Sequence, residues 1–250
     1  MALLGSSLSL GLWTVSSTWI GLIVGFCMML WFVQNETRKA GYDGKKLREA
    51  VGDSVFYGVF AALLTPIFVI PREVLDRPFQ ILLGGLIPYA SWVGWTIGLV
   101  YFFWRLRKQQ IPWTTLLDVL VPAFLAGWSA YSLLVVEYGT RTGMFWGVQV
   151  SDGVYHSVNL YRFVLFAVAV GGLVRWMPLS VKGRRGTFAL VIFGFSTLLL
   201  SLVQFNQNLW LYLTPLQWVA LLSGVTGIYL LNKEREEEVN SDPKETNLDH

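Results

Sequence analysis

Long apolar runs separated by short polar connections set the pattern of this chain. Seven runs lie near 12–33, 53–70, 79–104, 116–136, 158–176, 187–205 and 209–231. Each is long enough, or nearly so, to cross about 30 Å of hydrocarbon as a helix. The second is short, and Pro66 and Pro71 blur its end. The third is interrupted by Gly84-Gly85 and Pro88, which predicts a kink or a broken start. The pattern predicts an all-α polytopic membrane protein with seven transmembrane helices in one domain over 1–231. The remaining segment, 232–250, is charged and nearly free of apolar residues, so it is expected to be a solvated, disordered cytoplasmic tail.

Composition strengthens the membrane reading. The mean hydropathy of the 250 residues is +0.51. Only 14% are charged, where a soluble domain carries about a quarter. A net charge of +3 would suggest a nucleic-acid partner in a soluble chain. Here the basic residues cluster beside apolar runs, which is a topology signal, and no nucleic acid is expected. The connections 34–50, 105–115, 175–186 and 232–250 hold five, three, four and three of the 19 lysines and arginines. The alternate segments 1–11, 71–78, 137–157 and 206–208 hold none, two, one and none. That asymmetry predicts an N-terminus outside and a C-terminus in the cytoplasm, which an odd number of spans satisfies. The first run is not read as a cleavable signal, because it is too long and its positive charges, Arg38 and Lys39, follow it. Cys27 is the single cysteine, so no internal disulfide forms.

Candidate chemistry concentrates in Glu137–Arg162, the longest connection lacking a long apolar run. It carries Glu137, Asp152, Arg141, Arg162 and His156, one of two histidines. Glycines at 139, 143, 147 and 153 are expected to divide it into short turns. Within the interiors of the seven runs no ionisable residue occurs; Asp53, Asp118 and Arg162 stand at the beginnings of the second, fourth and fifth. Asp53 and Asp118 are expected to act as interfacial caps stabilised by the helix dipole. Arg162 opposes the dipole, so it either snorkels outward or pairs with Glu137, Asp152 or an anionic lipid phosphate. The tryptophans near span ends, among them Trp13, Trp19, Trp104, Trp113, Trp146, Trp176, Trp210 and Trp218, read as an aromatic belt. No His, Cys, Asp and Glu cluster has metal spacing, and no Ser–His–Asp order or phosphate loop is placed, so no metal or cofactor is expected.

The features from Gly84 to Tyr161 resemble bacterial prolipoprotein diacylglyceryl transferase. That family carries a Gly-Gly entering its third helix, matched by Gly84-Gly85. After a basic loop it has an Asp followed four residues later by Pro, matched by Asp118 and Pro122. Its external loop reads Glu-x-x-Gly, Trp-Gly, then His-Pro-x-Gln-Leu-Tyr-Glu. Here stand Glu137-Tyr138-Gly139, Trp146-Gly147 and His156-Ser157-Val158-Asn159-Leu160-Tyr161-Arg162. Order, spacing and topology agree from about Trp19 to Gly224.

The departures matter as much. The resemblance implies transfer of a diacylglyceryl group from phosphatidylglycerol to a lipobox cysteine thiol, expelling glycerol phosphate. That reaction needs a base and fixed positive charge. The family's His-Gly-Gly falls on Tyr89-Ala90-Ser91, and its Gly-Arg-x-Gly-Asn on Gly127-Trp128-Ser129-Ala130-Tyr131. The following Glu falls on Val136, or on Glu137 after a one-residue slip. An Arg and a Glu of the sixth helix fall on Thr197 and Ser201, after the retained Phe193-Gly194, and the last Glu of the loop is Arg162. Three readings stay open. The chain keeps a cleft for phosphatidylglycerol, another anionic phospholipid or a lipoprotein precursor peptide, with catalysis lost or weakened. Its headgroup contacts are then Arg141, Arg162, Tyr161, Tyr89 and Tyr131, with Ser91, Thr197, Ser201, Gln204 and Asn206 lining the cleft or bonding helix to helix. Alternatively it is a working transferase with His156 or Glu137 as catalytic group and Arg141 or Arg162 at the phosphate. The third reading is a non-catalytic subunit of a membrane complex. The resemblance implies a multi-pass protein of the bacterial cytoplasmic membrane.

Overall fold

A computed structural model describes residues 7–10, 13–76, 88–179, 183–205, 209 and 211–241. The described chain is mostly helical. A strand pair, β1 (Ser7–Leu10) and β2 (Trp13–Ser16), precedes α1 (Ser17–Lys39), α2 (Gly44–Val69), the short α3 (Pro71–Asp76), α4 (Pro88–Arg107) and α5 (Trp113–Leu134). Strands β3 (Tyr138–Arg141), β4 (Val148–Val150) and β5 (Gly153–Ser157) follow, then α6 (Val158–Trp176), α7 (Arg184–Ser201) and α8 (Pro215–Ser241). A long helix thus coincides with each apolar run. By length and composition four of them, α1, α2, α5 and α6, can cross a membrane.

Several boundaries differ from the apolar pattern for local reasons. The first run is helical only from Ser17, because Trp13–Ser16 pairs antiparallel with β1; aromatic, β-branched and Ser residues there suit a strand. The second helix starts at Gly44 rather than near 53. Its N-cap is Asp43, whose carboxylate accepts from the Lys45 and Lys46 amides at 3.0 and 3.2 Å. Asp53 therefore lies well inside α2, where it receives the Arg105 guanidinium at 3.0 Å, and is not a cap. The last helix begins at Pro215, where Thr214 and Gln217 bond reciprocally through side chain and backbone. That is a capping box with Pro at the first helical position. At its other end α8 runs to Ser241, past the expected limit at 231. Gly84-Gly85 lies outside the described residues.

The chain divides into two compact units, Val33–Pro112 and the combination of 1–32 with 113–250. In the first unit α2 and α4 pack antiparallel. Gly58 and Gly94 permit this, since a Cβ on either would meet the other's carbonyl oxygen at 2.8 or 2.7 Å. Such close backbone approach is how helices associate in lipid. In the second unit a core of Leu125, Phe166, Leu173, Phe193 and Ala220 joins α5, α6, α7 and α8. Large apolar side chains line the outside instead: Trp19 is 63%, Phe56 64% and Phe68 81% exposed. Surfaces of that kind belong against lipid or protein rather than water.

The second unit has two chemically distinct poles. At one, Asp118 of α5 receives the Gly183 and Gly186 amides, and Thr187 bonds Glu234. At the other, Thr140 donates to the Val203 carbonyl at 2.8 Å, and Gln204 reaches Glu137. The first pole carries the basic connections, and the second carries the sheet.

Candidate functional site

The connection expected to form only turns contains a three-stranded antiparallel sheet of order β3-β5-β4. Val148 opposes Tyr155 and Val150 opposes Gly153, so Ser151-Asp152 makes a two-residue hairpin turn. Gly139 is required where β3 meets the α7 end, because a Cβ there would collide with the Val203 carbonyl. This frame distributes the predicted site residues into three clusters.

The first cluster centres on Glu137 and Arg162. Arg162 is buried at 6% exposure, and its guanidinium meets Glu137 through both nitrogens, Nη1–Oε2 at 2.6 Å and Nη2–Oε1 at 3.3 Å. Of the outcomes left open for Arg162, pairing with Glu137 is the one observed; it does not snorkel. The Gln204 side-chain amide donates to Glu137 Oε1 at 2.7 Å, and the guanidinium lies 5.5 Å from the Trp128 ring centroid. A two-point ion pair with a cation–π neighbour neutralises the cation where it sits. Tyr131 is close enough to Glu137 and Arg162 to feel both charges.

The second cluster is exposed. Arg141 on β3 donates to the Tyr155 hydroxyl at 3.1 Å and to the Asp152 carbonyl at 2.5 Å; Tyr155 donates to the Asp152 carboxylate at 2.7 Å. The Tyr155 hydrogen bond, ahead of the nearby Arg141 charge, holds the Asp152 carboxyl below its usual range. The same tyrosine, followed by Asp152, raises the Arg141 guanidinium above its ordinary value. In the third cluster His156 Nδ1 lies 3.1 Å from the Tyr161 hydroxyl. Glu137, Arg141, Asp152, His156 and Arg162 are thus each engaged within their own cluster.

Asn159 was not singled out by sequence reasoning, yet it ties the loop to the helices. Its Oδ1 accepts from Ser157 Oγ at 2.9 Å and from the Glu137 amide at 3.4 Å, while Nδ2 donates to the Ser132 carbonyl at 3.3 Å. Its place in the His156–Tyr161 stretch, at the amide position of the loop motif, was the available signal. Ser132 Oγ and Thr197 Oγ1 are buried without a hydrogen-bond partner among the described residues. Ser201 donates to the Leu198 carbonyl at 2.6 Å. Asn206 and the Tyr89 side chain lie outside the described residues. Asp118 is buried and caps α7 rather than its own helix, which corrects its expected interfacial role. Among the described residues no group of three His, Cys, Asp or Glu side chains could hold a metal.

A loop sheet joined by a buried ion pair to a set of membrane-length helices is the arrangement to compare with known proteins. The chain is similar to a prolipoprotein diacylglyceryl transferase. It is 25% identical to the phosphatidylglycerol–prolipoprotein diacylglyceryl transferase of Methylobacillus flagellatus over 243 residues, 85% of this chain and 90% of that protein. No protein-family model matches the chain. The similarity bears out the family resemblance read from the sequence. Together with four helices long and apolar enough to cross a membrane, it supports a bacterial membrane protein that resembles a diacylglyceryl transferase.

Proposed function

We propose that this chain is a divergent member of the prolipoprotein diacylglyceryl transferase family in the bacterial cytoplasmic membrane. In this reading it crosses seven times, with the loop sheet outside and the C-terminus in the cytoplasm. It has lost or greatly weakened the transfer reaction and retains a face that binds an anionic phospholipid such as phosphatidylglycerol, or a lipoprotein precursor. One observation carries this reading: the buried Arg162 is fully engaged by Glu137, at 2.6 and 3.3 Å. Transfer of a diacylglyceryl group to a thiol needs a base to take the thiol proton and an uncommitted cation to receive the departing glycerol phosphate. Here Arg162 is neutralised, Arg141 is held by Asp152 and Tyr155, and His156 is bonded to Tyr161. Losing one preorganised donor costs about 10²–10³ in rate, so losing several leaves little transfer. Arg141, exposed beside Tyr155, is then the cation best able to meet a lipid headgroup.

Expression in a strain depleted of its own transferase tests the proposal. Lipoprotein modification and growth stay unrestored although the protein is in the membrane; restoration would overturn the loss of catalysis. Phosphatidylglycerol should co-purify, as read by mass spectrometry. A stoichiometric protein partner without lipid would support a structural subunit instead.

One observation favours a second reading, a working enzyme with rearranged groups. By the resemblance, position 128 carries an Arg and position 162 a Glu; here they are Trp128 and Arg162, whose ring and guanidinium are 5.5 Å apart. The cation has moved from one helix to its neighbour, next to the same spot. In this reading His156 acts as base and Arg162 receives the phosphate once a substrate displaces Glu137. Restored modification that His156→Ala abolishes would select it.

A further inference from the structure

The connection 142–147 leaves β3 after Arg141 and enters β4 at Val148. Both of these residues stand opposite Tyr155 of β5, so the connection crosses the sheet there. Three hydrogen bonds fix its course. The Thr142 amide donates to the Val154 carbonyl at 2.9 Å, the Met144 amide to Thr142 Oγ1 at 3.2 Å, and the Gly147 amide to the Met144 carbonyl at 3.1 Å. Gly147 lets the return pass close over β5, since a Cβ there would collide with the Val154 side chain. What this frame holds outward is apolar. Met144 is 51%, Phe145 93% and Trp146 50% exposed, and the two rings meet edge to face at 4.6 Å. From 142 to 151 the chain carries no charge. A turn that faces only water seldom displays adjacent large apolar side chains.

The height of this crossover follows from α6. Its 19 residues are about 28 Å long, just enough to cross about 30 Å of hydrocarbon. Val158 must then stand at the edge of that layer. Three residues of strand separate Tyr155 from Val158, so the crossover stands no more than about 10 Å beyond the edge, and less where the strand tilts. β3 is held low as well, because the Thr140 amide donates to the Val203 carbonyl just past the end of α7. The headgroup layer is about 5–7 Å deep, which puts the Phe145 and Trp146 side chains within its reach. Aromatic rings, tryptophan above all, favour that layer. We propose that the crossover is a membrane anchor, with Met144, Phe145 and Trp146 inserted into the interface of the adjacent leaflet. It takes the apolar edge of a lipid bilayer as its partner, without selecting a headgroup, and holds the sheet down on the leaflet. The anchor requires that α6 spans, as proposed above, and is indifferent to whether transfer activity survives.

Fluorescence quenching of the full chain in phosphatidylcholine nanodiscs tests it. With the native thiol removed by Cys27→Ser, Phe145→Cys carries an environment-sensitive dye; Met144→Cys replaces it should that variant fail to fold. The dye at 145 emits to the blue of its value in water and loses most of its intensity when the lipid is brominated high on its acyl chains. The dye at Ser151→Cys, on the hairpin turn farther from α6, stays water-like. The dye at Val168→Cys, on the exposed face of α6, is quenched because that helix spans. Trp146→Asp lifts the tip and reduces the quenching at 145. Water-like emission at 145 with quenching at 168 overturns the anchor and leaves the span standing; quenching at neither site overturns both. A blue shift at 145 without quenching would mean that protein covers the tip, and overturns the proposal. So does quenching at 151 equal to that at 145, which would mean that the whole sheet lies on the lipid. Unchanged quenching in Trp146→Asp overturns it too, because the sheet would then be held in place by its own frame.

Discussion

Burying the Arg162 guanidinium forfeits hydration worth several kcal/mol, and the Glu137 carboxylate offsets that only while both partners are present. The side chain of Arg162 is 7% exposed and that of Glu137 36%, so the cation bears most of the burial. Glu137→Gln should therefore destabilise the protein by about 3 kcal/mol, the low end for stranding a buried charge. Arg162→Met should cost less, because it strands only the half-exposed carboxylate, and the double variant should recover much of the loss. Denaturation in mixed micelles reads all three; additive losses in the double variant would refute the coupling. Asp152 gives a pH prediction at the same scale. Its carboxyl is held below the usual value of 3.8, first by the Tyr155 hydroxyl. The folded form thus binds its proton less readily than the unfolded one, and the stability it contributes is fully present above about pH 4 and lost as the pH falls through the lowered value. Hydrogen-exchange protection of β5 should be flat from pH 7 to about pH 5, and Asp152→Asn should reduce it at pH 7. A fall in protection between pH 7 and about pH 5 would overturn the assignment to Asp152.

Between elements, Asp118 does the most specific work. Its two carboxylate oxygens accept from the Gly183 and Gly186 amides at 2.6 and 2.7 Å, closing the start of α7 from a different helix. Asn at this position can accept with one oxygen only, so Asp118→Asn should cost about 1–3 kcal/mol, seen as a lower melting temperature without a change in helix content. The α7–α8 contact is set by Gly194, where a Cβ would meet the Ala220 carbonyl at 2.5 Å. Gly194→Ala should cost about 1–3 kcal/mol through overpacking; an unchanged melting temperature would mean the helices separate freely. These pairings explain what the sequence could and could not tell. Apolar length alone located the long helices among the described residues, because the cost of unsatisfied backbone in lipid leaves few alternatives. Asp118 stands near the start of a span, so it looked like a cap for its own helix; only the fold brings Gly183 to it. The sheet was readable in part. Val148-Gln149-Val150 and Val154-Tyr155-His156 flank Ser151-Asp152-Gly153, a hairpin pattern that the glycines around it disguised as loop. The Arg162–Glu137 pair was one of several open outcomes, since nothing local distinguishes Glu137 from Asp152 as the partner.

At the scale of the whole chain, the two units separately repeat one polarity. In the first, the antiparallel α2–α4 pair brings Lys46 and Gln109 together, at connections rich in Lys and Arg. In the second, the pole with Asp118 and Gly183 carries the basic connection between α6 and α7, and the opposite pole carries the sheet with its single Arg141. Helices that alternate direction between a basic end and a nearly neutral end have the arrangement that the positive-inside rule orients in a membrane. Sequence counting alone gave the asymmetry; the fold adds that segments assigned to one side actually meet. The consequence is testable with the single native cysteine removed by Cys27→Ser. In that background Ser151→Cys, on the exposed hairpin turn, should react with a membrane-impermeant maleimide in intact spheroplasts. Lys45→Cys, exposed at the start of α2, should react only after the membrane is opened. Reversed labelling would invert the topology and put the loop sheet on the cytoplasmic side, where a lipid or precursor arriving from outside could not reach Arg141. Labelling of both sites in intact cells would mean that α1 and α2 do not span, and the seven-span arrangement would fall with them.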